Sequence, residues 1–237
     1  MDVSDPEMLR VLRKRIEEIE SGQRPRPGSR VSSGVAAVDA IFPGGGLQRG
    51  MLVELLSATD GAGAWTLGLA LARRACEKRQ VLVVVDEQSW FYPPAASRLG
   101  LDLRRCLVIR PAHWRDSYAA ICQSLLCGAV GGVIGWCSRI GAVDYRRLRS
   151  AAERGGGLGF LVRPPEALRS PTCASARLLV SPIASGEPAR RLRVEVLRGR
   201  GCGQALTLEL DDETGDVHPP ADAAPPASLE RAARPSG

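Results

Sequence analysis

Residues 54–67, ELLSATDGAGAWTL, read as a junction where an apolar strand hands over to a helix. A phosphate-binding loop occupies such a junction and in working form reads G-x-x-x-x-G-K-[ST]. Laid on that pattern, Gly63 keeps the second glycine, with Gly61 two residues before it. Ala58 stands at the first glycine, Ala64 at the lysine and Trp65 at the hydroxyl residue. The lysine brings positive charge to the β/γ-phosphates and the hydroxyl helps to hold Mg²⁺. Alanine and tryptophan can do neither. The junction predicts the architecture of an ATPase without its chemistry. Backbone N–H groups at the helix start leave weak anion binding open, but a tight strand-to-helix turn is the first reading of Gly61 and Gly63.

The segments around the junction extend the α/β reading. Residues 35–42 predict a short helix, broken by Pro43-Gly44-Gly45-Gly46. Residues 51–56 predict a strand and residues 65–79 a helix. Residues 81–85, VLVVV, form a continuous β-branched and apolar run ending at Asp86, the mark of a buried parallel strand. Helices are expected over 93–99, 115–127 and 144–154, and strands over 133–136 and 158–162. After Pro171 the alternation stops. Residues 176–180, 192–197 and 205–210 predict strands with no helix between them, and residues 191–196 alternate polar and apolar as a half-exposed antiparallel strand does. The expected fold is one α/β domain, with a mostly parallel sheet flanked by helices and antiparallel C-terminal strands.

The ends read differently. Residues 1–21 predict a separate amphipathic helix with Leu9, Leu12, Ile16 and Ile19 on one narrow stripe. Residues 22–30 are a linker rich in Pro, Gly and Arg. The stripe must be buried on its own domain or on another chain, and contact between chains is its expected use. The core spans 31–215, and the Pro/Ala-rich segment 216–237 is expected to be disordered.

Net charge is +6, and of 32 basic residues only Lys14 and Lys78 are lysine. Such a surface favours polyanions, but the arginines are scattered, with no basic block, so a solvated surface is the first reading. Seven cysteines, none paired as C-x-x-C, and two isolated histidines predict neither a disulfide framework nor a metal site. No apolar run reaches the roughly 20 residues of a membrane span. With no signal-peptide core, the chain is expected in the cytoplasm.

The string VLVVVDEQSWFYPPAASRLGLDLRRCLVIRP over residues 81–111 resembles the RecA core. Asp86, Pro93 and Leu99-Gly100-Leu101-Asp102 fall without a gap at the spacings of RecA's strand-ending Asp, following Pro and Leu-Gly-Val-Asp before the next strand. The resemblance implies a RecA-like fold and places Gln88 where RecA has the glutamate that positions water. It also places Cys137 where RecA has the metal-orienting Asp. With Ala64 and Trp65, four catalytic positions are lost, so neither ATP hydrolysis nor a cofactor is expected. The two RecA DNA-binding loops correspond to short connections carrying Arg139, Arg163 and Arg169, so these are the candidate DNA contacts, weak or indirect.

A RecA-like core with lost ATP residues, a leading helix, and the strings RLRVEVLRGRG over 191–201 and LELDDETG over 208–215 is similar to the ImuA family. That resemblance implies a DNA-damage-inducible accessory factor in error-prone translesion synthesis (SOS mutagenesis). Its implied partners are an ImuB-like Y-family polymerase homologue, an error-prone C-family DNA polymerase, and RecA. The alternatives are a SulA-like cell-division inhibitor and an active RecA-type recombination ATPase.

Overall fold

The computed structural model describes residues 28–76, 80–184, 190–211, 214 and 216–220. The stripe Leu9, Leu12, Ile16 and Ile19 and residues 22–27 of the linker lie outside the described residues.

The first described elements form a small ribbon at the entry to the core. Strand β1 (Arg30–Val31) pairs antiparallel with β2 (Leu47–Gln48) across helix α1 (Ala36–Ala40). The sequence pattern did not indicate this ribbon, because two-residue strands carry no periodicity. The core then alternates: β3 (Leu52–Ser57), α2 (Ala64–Arg74), β4 (Val81–Val85), α3 (Pro93–Arg98), β5 (Cys106–Ile109), α4 (Trp114–Leu126), β6 (Val130–Trp136), α5 (Ala142–Gly155) and β7 (Leu158–Arg163). Three strands follow, β8 (Ala176–Ile183), β9 (Arg190–Arg198) and β10 (Ala205–Leu210), and then a short β11 (Val217–His218). Short 3₁₀ turns at Leu103–Arg105 and Pro165–Arg169 complete the connections.

Strands β3 to β11 form one nine-stranded sheet in the order β11-β10-β9-β8-β3-β7-β6-β4-β5. The six strands from β8 to β5 run parallel, while β9, β10 and β11 add antiparallel at the other edge. The expected fold class is therefore observed. One expectation is corrected: the tail does not lose order at residue 216. Val217 and His218 pair with Leu210 and Glu209, and Asp216 forms an ion pair with Arg73. Polar Asp and His in a Pro-rich context hid an edge strand two residues long.

The sheet is buried on both faces, as parallel strands joined by helices must be. Side chains alternate between two clusters with the period of two that a strand imposes. Leu82 and Val84 of β4 pack beneath α2 with Leu67 and Leu71, whereas Val83 and Val85 face α4 and α5 with Ile121 and Leu148. On the second face the helices approach closely. A Cβ on Gly155, the last residue of α5, would lie 1.9 Å from the Leu125 carbonyl oxygen of α4, so only glycine allows that crossing. No helix among the described residues is long and apolar enough to cross a membrane.

Candidate functional site

The turn from Ser57 to Ala64 lies at the C-terminal ends of the parallel strands, the edge where open α/β sheets bind ligands. Strand β3 is buried along all six residues and delivers the chain into the turn. There the Ala58 N–H donates to the Val180 carbonyl of β8 at 2.9 Å, and the Ala62 N–H to the Thr59 carbonyl at 3.2 Å. Gly63 caps α2 in the left-handed region, with φ +91°, and a Cβ there would press on the Leu192 side chain at 2.7 Å. The glycine is thus required both by the turn and by the closing strands packed beside it.

The four positions singled out in the sequence differ in burial. Ala64 is buried, and Trp65 is half-buried with its indole against the core. Gln88 is exposed. Cys137 is buried; its N–H donates to the Val162 carbonyl at 2.8 Å. Burial pushes its thiol up to about 12, so the sulfur stays neutral. Among the described residues no cluster of three or more His, Cys, Asp or Glu could hold a metal.

Asp86 ends β4 and is fully buried. Its carboxylate accepts from the backbone N–H groups of Trp90 at 2.8 Å and Phe91 at 3.0 Å, with Arg110 at 3.5 Å. Ser89 adopts φ +58° to complete the turn. The turn swings Trp90 over the loop, where its ring meets Trp136 from the end of β6 edge to face, centroids 4.7 Å apart. Trp65, Trp90 and Trp136 therefore wall a cavity of about 390 Å³ over the turn that precedes α2, with Ser57, Asp60 and Gly61 in its lining. A second cavity of about 370 Å³ shares Trp65 and Trp90 and continues past Tyr92, Arg98 and Arg190. Sequence reasoning missed this aromatic wall except for Trp65. The available signal was that Trp65, Trp90 and Trp136 all fall on the C-terminal side of predicted strands: in the first turn of the helix after β3, in the turn after β4, and at the end of β6.

Of the three arginines proposed to touch DNA, Arg139 and Arg169 are exposed. Arg163 is not available and is corrected here: it is 1% exposed. Its guanidinium donates to Glu54 Oε1 at 2.7 Å and to the Cys137 carbonyl at 3.1 Å. Arg177 donates to Glu54 Oε2 at 2.5 Å, completing a buried pair of cations on one carboxylate. The Tyr145 hydroxyl is buried beside it without forming a hydrogen bond. Burial alone would raise the Glu54 pKa, but contacts with Arg177, Tyr145, Arg163 and Thr172 hold the carboxyl below its ordinary range. Burial and this neighbouring carboxylate push the Tyr145 phenol well above its own. The signal for the network was a lone glutamate inside the apolar run MLVELLS.

No family model matches the chain. The chain is 26% identical over 204 residues to protein ImuA of Caulobacter vibrioides (strain NA1000 / CB15N), a match covering 77% of this chain and 83% of that protein. It is also 28% identical over 104 residues to protein RecA of Chlorobium chlorochromatii, covering 44% of this chain and 29% of that RecA. A third match, to protein RecA of Chlorobaculum tepidum, is 28% identical over 144 residues and covers 56% of this chain and 41% of that RecA. The matches thus span less than half the length of these RecA relatives and most of the ImuA one. With the strand order above, the fold is RecA-like, and the chain is an ImuA-like, RecA-related protein.

Proposed function

We propose that this protein is a non-catalytic RecA-like accessory factor in DNA-damage-induced, error-prone translesion synthesis. In this role it would assemble an ImuB-like polymerase homologue with an error-prone C-family polymerase. The similarity to ImuA supports the pathway, and one feature of the site supports the absence of catalysis. The cavity over the loop is walled by three indoles, and its described lining contains Asp60 but no lysine or arginine. A phosphate-binding loop works by bringing backbone N–H groups, an ammonium and a metal to the same oxygens. Here only the N–H groups remain, beside a carboxylate that repels a polyphosphate.

Two measurements test this reading. Isothermal titration with Mg-ATP should give no saturable heat at sub-millimolar nucleotide, and turnover should be absent. The double substitution Ala64→Lys with Trp65→Thr should not restore hydrolysis, because Gln88 and Cys137 still lack carboxylates. Tight, saturable binding or measurable turnover would remove the non-catalytic reading. The pathway is tested separately by deleting the gene: induced mutation should fall and the polymerase homologues should lose their mutual association. Unchanged mutation frequency with altered filamentation would favour a cell-division inhibitor instead.

A further inference from the structure

We propose that the face formed by Trp136, Trp90, Trp65 and Tyr92, flanked by Arg98 and Arg190, binds single-stranded nucleic acid by stacking its bases. This goes beyond the accessory-factor reading and does not rest on it. The face begins at the cavity over the loop and ends at the second cavity, the two sharing Trp65 and Trp90 in their walls.

Three observations carry it. The first is concentration. Only 4% of the chain is aromatic, yet three of its four tryptophans line one cavity and Tyr92 lines the next. The second is exposure combined with rigidity. Trp90 is 51% and Tyr92 65% exposed, which leaves large rings in water. The Asp86 carboxylate fixes the Trp90 turn, Trp136 braces the Trp90 ring from its side, and Pro93 and Pro94 follow directly after Tyr92. Rings held in place lose little freedom when a base stacks on them, so more of the contact energy appears as affinity. The third is the placement of charge. Arg98 and Arg190 are exposed at the second cavity, and neither forms an ion pair among the described residues. Asp60 lies in the first cavity, away from them.

This division of charge orients the ligand. The three-tryptophan cavity repels phosphate and offers π-faces, so it takes a base. The arginine side takes the backbone. Aromatic platforms beside cationic groups are how single strands are bound without sequence readout. The first cavity also falls within the roughly 300–1,000 Å³ of small-ligand sites, which admits a base. A duplex keeps its base faces stacked internally and would have to unstack to use the surface. A protein segment with an apolar anchor is the competing occupant, but it gives no role to two free arginines beside flat, exposed rings.

The probe is a fluorescein-labelled oligothymidylate long enough to cover a site of roughly 4–16 nucleotides, titrated into the full chain at low salt. Anisotropy should saturate, and intrinsic tryptophan emission should be quenched in step with it. Thymidine triphosphate and a duplex of equal length should bind far more weakly. Trp90→Ala should weaken binding roughly 5- to 150-fold, the loss expected for one stacked base, whereas Trp90→Phe should retain most of it. Tyr92→Ala, at an exposed position, gives an independent variant should Trp90→Ala misfold. Changing Arg98 and Arg190 together to Ala should make the salt slope shallower by about 1.4, at 0.7 per single-strand phosphate contact. Several results would overturn the proposal: no saturable binding, saturation without quenching, or affinity unchanged in both Trp90→Ala and Tyr92→Ala.

Discussion

Replacing Glu54 with alanine is expected to lower the unfolding free energy by about 3–5 kcal/mol, because it leaves two buried cations without a counter-charge. Arg163 and Arg177 converge on this carboxylate at 2.7 Å and 2.5 Å. Arg177 also reaches the carbonyls of Ala167 and Leu168, and Arg163 that of Ser138. The glutamate thus joins β3 to β7 and β8, and through its arginines ties in the connections that follow β6 and β7. Removing all three charges together for apolar groups of matching volume should be much less damaging, since a buried triad also carries a large desolvation penalty. The pH dependence follows from the same geometry. The folded carboxyl titrates below its ordinary value of 4.5. Its contribution is therefore complete above that value and is lost as pH falls through the folded pKa. Urea unfolding at neutral and acidic pH should show the wild type losing more stability on acidification than Glu54→Gln, which has no carboxyl to titrate there. Parallel losses in the two proteins would mean that the carboxyl is not held charged by its arginines.

The sheet was legible because its strands state their own burial. Val81–Val85 is apolar at every position and lies between two strands, covered on both faces. The closing strands announced themselves differently, through the alternation in RLRVEV, which places Leu192, Val194 and Val196 inside. Helix ends were less legible: α2 ends at Arg74, where the sequence predicts a helix over residues 65–79. The site was legible only where one segment carried it. The loop residues from Ala58 to Trp65 sit together in sequence, so their chemistry could be read residue by residue. The aromatic wall could not, since Trp65 comes from the first turn of α2, Trp90 from the turn after β4 and Trp136 from the end of β6, and they meet only in the fold. Arg163 was misjudged for the same reason. Its position after a strand predicts a loop cation, and only the pairing of β3 with β7, Leu56 opposite Arg163, brings it alongside the Glu54 strand.

Asp86→Ala is expected to lower the unfolding free energy by about 1–3 kcal/mol and to release Trp90 from Trp136. In the resemblance to RecA, Asp86 marks the strand end that precedes the catalytic glutamate. In this chain its carboxylate spends both oxygens on the turn that follows, one on the Trp90 N–H and one on the Phe91 N–H. The two bonds are not equal in consequence. Phe91 is buried, so its N–H has no ready access to water when the acceptor is removed. Trp90 is half exposed, and its N–H can rehydrate as the turn opens. The loss is therefore expected to be that of one buried group, not twice that amount. Ser89, at φ +58°, has reason to hold that conformation only while the turn is closed. Asp86→Asn keeps one acceptor oxygen and should fall between wild type and alanine. Near-ultraviolet circular dichroism reports the fixed Trp90–Trp136 pair, and acrylamide quenching reports how far the indoles open to water. The alanine variant should lose the first signal and gain in the second while its far-ultraviolet spectrum stays unchanged. If the variant unfolds at the wild-type midpoint with both tryptophan signals intact, the turn is held by the packing of Phe91 and not by the carboxylate.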